Sequence, residues 1–312
     1  MQRISLSLLR LVDGWAGGEK ELDQGDHQVD WLRVIPFILV HLACLAVFWV
    51  GFSPAALIAC VAMYLVRMFA ITGFYHRYFS HRSFRTSRAT QFVFAVLANA
   101  TAQRGPLWWA AHHRHHHRHS DRSADIHSPM QSGAWHSHIG WILCRANFGT
   151  RKRLVRDLMR YPELIFLDRF DYLAPLAAAA ALFGLGSLLA NVAPELGTDG
   201  PQMLVWGFFI STIAVFHATC GINSVAHIWG SRRYETSDDS RNNWLLAILT
   251  LGEGWHNNHH RFPGRARHGE AWWEIDVTYL ILRQMARVGL IWDLRAPARA
   301  EAAIPARHPS SG

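Results

Sequence analysis

Residues 54–81 read PAALIACVAMYLVRMFAITGFYHRYFSH. Up to residue 72 the only charge is Arg67, and the run approaches the roughly 20 apolar residues that a helix needs to cross a bilayer. It then leads straight into His76 and His81. An apolar span that carries a histidine pair to its own end points to an all-α integral membrane protein. Successive α-helical residues rotate by about 100°, so a separation of five does not place two side chains on one face. The pair is therefore expected at a helix end, where the chain leaves the membrane and bends.

Three further stretches match this one in length and apolarity: about 34–52, 171–190 and 202–229. Hydrophobic residues make up 50% of the 312 and charged residues 17%, against about 25% charged in a soluble domain. The loops set an orientation. The turn at 51–54 has no charge, and 191–201 has Glu195 and Asp199 but no Lys or Arg, whereas 73–170 holds fifteen Lys and Arg residues. By the positive-inside rule the basic segments are cytoplasmic. Two hairpins then enter the bilayer from one side, with both termini and nearly all the histidines on the cytoplasmic face (the inner or plasma membrane in a bacterium). The net charge of +8 fits an anionic membrane surface better than nucleic acid.

The run at 90–102 is shorter and reads as an interfacial or buried helix. The stretch 272–293 reads as a surface helix. Residues 1–30 read as a cytoplasmic N-terminal segment without a cleavable signal, 31–293 as the membrane domain, and 294–312, past about Ala296, as a disordered tail. Cys44, Cys60, Cys144 and Cys220 show neither zinc nor disulfide spacing and read as free thiols.

Twenty histidines are the anomaly. Beyond HRYFSH, the string AAHHRHHHRH contains His113, His116 and His117 in the pattern H-x-x-H-H, and GEGWHNNHH repeats it with His256, His259 and His260. That spacing keeps a triplet on one side of a helix. Two such helices facing each other can enclose metal from both sides. His227 follows Asn223 by four residues at the end of the fourth apolar run. His112, His115 and His116 also satisfy H-x-x-H-H, but Arg114 after His113 and the distance to Asp125-Ile126-His127 favour the frame beginning at His113. His41, His217 and His308 read as ordinary core or surface residues. Imidazole alone does not choose among zinc, copper, nickel and iron, although nine candidates can serve two ions and leave positions open for oxygen.

The strings HRYFSH, HRHHH followed by SDRSADIH, NSVAH and GEGWHNNHH resemble those of the membrane fatty-acyl desaturases of the Δ9 stearoyl-CoA type, over about residues 31–293. The resemblance implies four membrane helices under a cytoplasmic helical cap that holds a histidine-rich di-iron site. It implies His76, His81, His113, His116, His117, His227, His256, His259 and His260 as ligands, with Asn223 acting through a water, and O2 as co-substrate. The stretch QRGPLWWAAHH lacks the acidic and basic pair that animal members carry before the second cluster, and looks closer to bacterial and plant-type enzymes. Acyl-CoA, acyl-lipid and acyl-carrier substrates therefore stay open.

Glu253, Asp121 and Asp125 are the nearest carboxylates that can orient the imidazoles. Arg118, Arg122, Arg265 and Arg267 are candidates to clamp a phosphate at the mouth of an acyl tunnel, and Trp109 to line it. Tyr64, twelve residues before His76, is expected to close its far end. The chain shows no Gly-rich dinucleotide fingerprint and no haem module, so electrons must come from a ferredoxin, rubredoxin or cytochrome b5 with its reductase. The rival readings are a fatty-acyl or alkyl hydroxylase on the same scaffold and a His-rich metal-binding protein or transporter.

Overall fold

The computed structural model describes residues 9–10, 12–16 and 28–295; the tail past Ala296 and His308 lie outside the described residues. Among the described residues, four helices are long and apolar enough to cross a membrane: α1 (Trp31–Val50), α2 (Pro54–Ser80), α5 (Leu173–Val192) and α6 (Gly200–His227). Between and after them lie α3 (Arg88–Asn99), α4 (Pro106–His119), α7 (His256–Arg261) and α8 (Val277–Arg287). The only strands among the described residues, β1 (Arg85–Thr86) and β2 (Ile291–Trp292), pair antiparallel.

Local chemistry starts α2 and α6 where they are needed. The Ser53 hydroxyl accepts from Ala56 N at 3.1 Å and Pro54 opens α2, an N-cap followed by the one residue that has no N–H to lose. Asp199 does the same for α6 by accepting from Gln202 N at 2.8 Å. Gly51, at φ 72°, turns α1 into α2. The two hairpins join through α6, which packs along both α2 and α5. Large apolar side chains such as Ile58, Leu176 and Leu188 remain exposed on the spans, where the solvent is hydrocarbon.

Arg67, the lone charge of the second span, is fully buried. Its guanidinium donates to Thr212 Oγ1 (2.7 Å), Ala100 O (3.2 Å), Gly207 O (3.2 Å) and Met63 O (3.2 Å), and also to Ser211 Oγ. A charge inside a membrane is tolerated only when its donors are satisfied this way, and here they bolt α2 to α6. Nearby, His41 and His217 tie α1 to α6 through their Nε2 atoms at 3.3 Å, and His217 Nδ1 meets His138 Nε2 at 3.1 Å. The four cysteines are free.

Two expectations from the sequence need correction. First, α2 does not stop at residue 72. Residues Ala70–Ser80 continue it as a π-helix, and His81 N donates to His76 O at 3.2 Å. An i→i+5 winding stacks residue i+5 above residue i, so the His76 and His81 rings come within 4.9 Å on the same side. Second, 272–293 is not one surface helix: α8 covers only its middle, and the chain then forms β2. The run at 90–102 does give a partly buried helix, α3, with Gln91, Ala95, Ala98 and Asn99 inward, packed on the π-wound end of α2.

Replacing Arg67 with Met strips this bolt and leaves several acceptors unpaired. The variant is expected to lose about 3 kcal/mol or more of stability, read as a lower unfolding midpoint in detergent than the parent chain.

Candidate metal centre

Helices α4 and α7 bring their triplets face to face in a crossed arrangement. His113 and His117, four residues apart on α4, turn to one side with His76 of α2, His81 just past its end and His259 of α7. His256 and His260, four apart on α7, turn to the other side with His116 of α4 and His227 of α6. Each helix thus gives an i, i+4 pair to one group and its remaining histidine to the other. In both groups the Nε2 atoms face one another: His76–His259 at 3.1 Å, His81–His113 at 2.7 Å, His117–His259 at 3.0 Å and His227–His256 at 3.1 Å. Asn223 lines a small cavity with His76, His116 and His256.

The rival frame points elsewhere. His112 Nδ1 donates to Trp108 O at 2.9 Å, and His115 Nε2 donates to Ala124 O at 2.9 Å, so neither ring joins either group.

What aims the imidazoles is a set of carboxylates on their far nitrogens. His76 Nδ1 lies 2.6 Å from Glu253, His116 Nδ1 2.9 Å from Asp125, His227 Nδ1 2.8 Å from Asp121 and His260 Nδ1 2.6 Å from Asp238. An ionised carboxylate only accepts, so the proton sits on Nδ1 and Nε2 keeps its lone pair toward the centre. His260 Nε2 is buried with no partner. This is the arrangement of a metal-ligating histidine oriented by a carboxylate. The donor set fits two cations of the kind that accept imidazole, iron among them.

Electrostatics keep the set in its binding form. Burial, reinforced by neighbouring imidazoles, holds His81, His113, His117, His256 and His259 well below the usual histidine value. Burial also lowers His260, to about 4 against the pull of Asp238. His116 goes the other way: burial would lower it, but the adjacent Asp125 raises it above 6.5. Burial works to raise the Asp121 carboxyl, yet its hydrogen bond with His227 leaves it at about 2. Glu253 is likewise held well below the carboxylate range, because His76, His268 and Arg77 outweigh its burial.

Several participants did not stand out in the sequence. Asp238 sits in a polar loop 22 residues before His260, a spacing no helix enforces. Arg77 and His268 flank Glu253 at 3.2 and 3.3 Å, and Arg77 also pairs with Asp276 at 3.0 Å. The two asparagines inside HNNHH face away from the histidine groups. Asn257 Oδ1 accepts from the backbone N–H of Arg233 and Tyr234, and Asn258 donates to Glu274. Gly254 is required on steric grounds, since a Cβ there would lie 2.1 Å from Ala247 N.

A cavity of about 460 Å³, mostly apolar, runs beside the histidine groups and is lined by Trp109, His113 and Asn223. The other residues expected to contact substrate lie elsewhere. Tyr64 is not in its wall; its hydroxyl donates to Leu249 O at 2.6 Å. Arg118 and Arg122 are exposed, Arg265 pairs with Glu270 at 2.9 Å and Arg267 reaches Glu270 O at 3.4 Å. None of these four lines the cavity, because the surface that reads as basic is the outside of the cap. Its arginine-lined part comes instead from Arg10, Arg33 and Arg104.

Residues 48–288 match the model of the fatty acid desaturase family. A probable chloroplastic lipid desaturase of Arabidopsis thaliana is 38% identical over 277 residues, covering 87% of this chain and 72% of that protein. The sn-1 stearoyl-lipid 9-desaturase of Anabaena variabilis is 33% identical over 271 residues, 86% of this chain and 94% of its own. The icosanoyl-CoA 5-desaturase of Limnanthes douglasii is 34% identical, with coverages of 87% and 74%.

Two outcomes follow from this geometry. Asp238→Asn keeps the shape but weakens the orientation of His260, and is expected to lower metal affinity about 10–100-fold, measured by competition with a chelator. Protons compete with metal for His116, so affinity of the four-histidine group should rise with pH through the neutral range. The five-histidine group should hold its affinity to lower pH. Metal content after dialysis at stepped pH should therefore fall first by half.

Proposed function

We propose, since the chain belongs to the fatty acid desaturase family, that it removes two hydrogens from neighbouring methylenes of a long saturated acyl chain to leave a cis double bond, Δ9 by resemblance. The observation that carries this reading is the contact between histidines and cavity. His113 and Asn223 sit in the wall of a mostly apolar cavity of about 460 Å³, so a saturated chain lying in it passes beside the metal-holding groups. Two iron ions held by these histidine groups would supply the activation of O2 that hydrogen removal from an unactivated carbon needs. The balance is one acyl chain, O2, two electrons and two protons giving the unsaturated chain and two waters.

The residues contribute position and charge. His76, His81, His113, His117 and His259 would hold one ion and His116, His227, His256 and His260 the other, with Asn223 placed to act through a water. Glu253, Asp125, Asp121 and Asp238 fix the ring orientations. Trp109, stacked on His113 at 5.1 Å between ring centres, limits where the chain can lie. An acyl tail has no polar mark at its middle, so selection of the reacting carbons rests on held geometry. Electrons come from a small external carrier of ferredoxin, rubredoxin or cytochrome b5 type, drawn to an Arg-rich cap. By the loop charges, that cap and both termini are cytoplasmic.

Gas chromatography–mass spectrometry of fatty acids from cells expressing the chain tests this reading beside a His260→Ala control. New cis-monounsaturated chains absent from the control are expected. Hydroxylated chains in their place would make the protein an oxygenase.

A further inference from the structure

The cavity that passes His113 and Asn223 extends out of the cap and between two membrane helices. Pro36, Phe37 and Val40 line it from α1, and Leu176 and Ala179 line it from α5. All five lie within about the first three turns of their spans. Both helices pack on α6, and neither packs closely on the other. Val34 is the only buried residue of α1. The space between the two spans is therefore a slot, and α6 is its floor. Leu176 is 60% exposed and Pro36 is exposed too, although both belong to the cavity wall. Wall residues open to the outside mark a side opening, and outside a membrane span the solvent is hydrocarbon.

The floor of the slot leads to the histidines. Phe209, Ile213, Phe216, Cys220 and Asn223 all line the cavity. Their spacings of four, three, four and three put them on one face of α6. The stripe runs about 21 Å along the helix, and its members before Asn223 are apolar. At the cap end the wall carries Arg10, Arg33 and Arg104, the last paired with Asp171 at 2.6 Å. Arginine near the start of the spans lies at the level of lipid headgroups, where anionic phosphate attracts it.

This geometry separates two kinds of substrate. An acyl chain on a soluble thioester needs only an end-on mouth that faces water. A glycerolipid carries a second acyl chain, and drawing that chain out of hydrocarbon into water is strongly unfavourable. Such a lipid can offer one chain to a buried site only through an opening that leaves the other chain in the bilayer. The slot between α1 and α5 has that form.

We propose that the slot between α1 and α5 is a lateral gate, through which one acyl chain of a membrane glycerolipid enters the cavity while its other chain stays in the bilayer. The proposal rests on the desaturase reading above for what happens to that chain, and adds the substrate class and its route. Leu176 and Ala179 act as specificity residues, and neither belongs to the histidine groups.

The test uses the full, metal-loaded chain in nanodiscs of dipalmitoyl phosphatidylcholine. Phe216→benzoylphenylalanine puts a photo-crosslinker at a buried point of the stripe, and irradiation should give an adduct with the mass of the intact phospholipid. The bound lipid still straddles the slot, so Leu176→Trp, which narrows it, should cut the yield about tenfold. Leu176→Ala widens the slot and should leave at least the parent yield. Both variants should keep the parent unfolding midpoint in detergent, because Leu176 faces outward. Equal yields in the parent and Leu176→Trp chains, or an equal drop in both variants, overturns the gate. So does an adduct formed only with palmitoyl-CoA added from the water side. Reduced ferredoxin and O2 given to the parent chain in the same nanodiscs separate the two readings. A phospholipid adduct that depends on Leu176, with no double bond made in any chain, would overturn the desaturase reading and leave the gate standing. Double bonds made in palmitoyl-CoA alone would overturn the gate and leave the desaturase reading standing.

Discussion

Everything in the cap depends on one constraint: nine imidazoles must stay aimed at two points. A cluster of lone pairs as close as 2.7–3.1 Å is unfavourable unless a cation sits between them, and burial alone would let the rings turn away. The carboxylates on four of the Nδ1 atoms stop that rotation. They also need partners of their own, and those requirements shape the surrounding chain. Asp121 accepts from the backbone N–H of Asp239 at 2.8 Å, and Asp238 from the Ser240 hydroxyl at 2.6 Å. The loop before α7 is thereby tied to the loop after α4. Glu253 draws in Arg77, and Arg77 draws in Asp276, which caps α8 by accepting from Tyr279 N.

The membrane part serves that centre by fixing height and angle. The spans α2 and α6 deliver His76 and His227 as direct extensions of themselves, so the position of the groups relative to the bilayer is set by helix length and not by a loop. The Arg67 bolt between these two helices sits below the site, where slippage of one against the other would pull the two groups apart. The π-winding at the end of α2 belongs to the same design. It brings His76 and His81 to one side, which an α-helix with the same spacing cannot do.

Much of this was legible in the sequence because it depends on local spacing. Twenty apolar residues mean a span in any context, and H-x-x-H-H on two segments means two helices that offer a pair and a third ring. Charge in the loops suggested from which side the hairpins enter in the same local way. What stayed hidden depends on distance across the fold. Asp238 meets His260 from a loop whose polarity is that of any solvated turn, and nothing local ties the two together. The π-turn hides because its residues also suit an α-helix. Arg118, Arg122, Arg265 and Arg267 were misplaced because arginine near a cluster reads the same whether it faces a cavity or water. The arginines that do reach the cavity come from α1, from the turn before α4 and from the N-terminal segment, three places with no sequence signal in common.

The central claim is that the two histidine groups each hold one iron through imidazole nitrogen. Iron-edge X-ray absorption on the purified protein, combined with metal analysis, tests it most directly. The account predicts two irons per chain with a first coordination sphere of nitrogen and oxygen at imidazole-like distances, falling to less than two in the His260→Ala chain. A single ion per chain, or a sphere in which zinc replaces iron at both groups in protein purified from iron-replete cells, would contradict it.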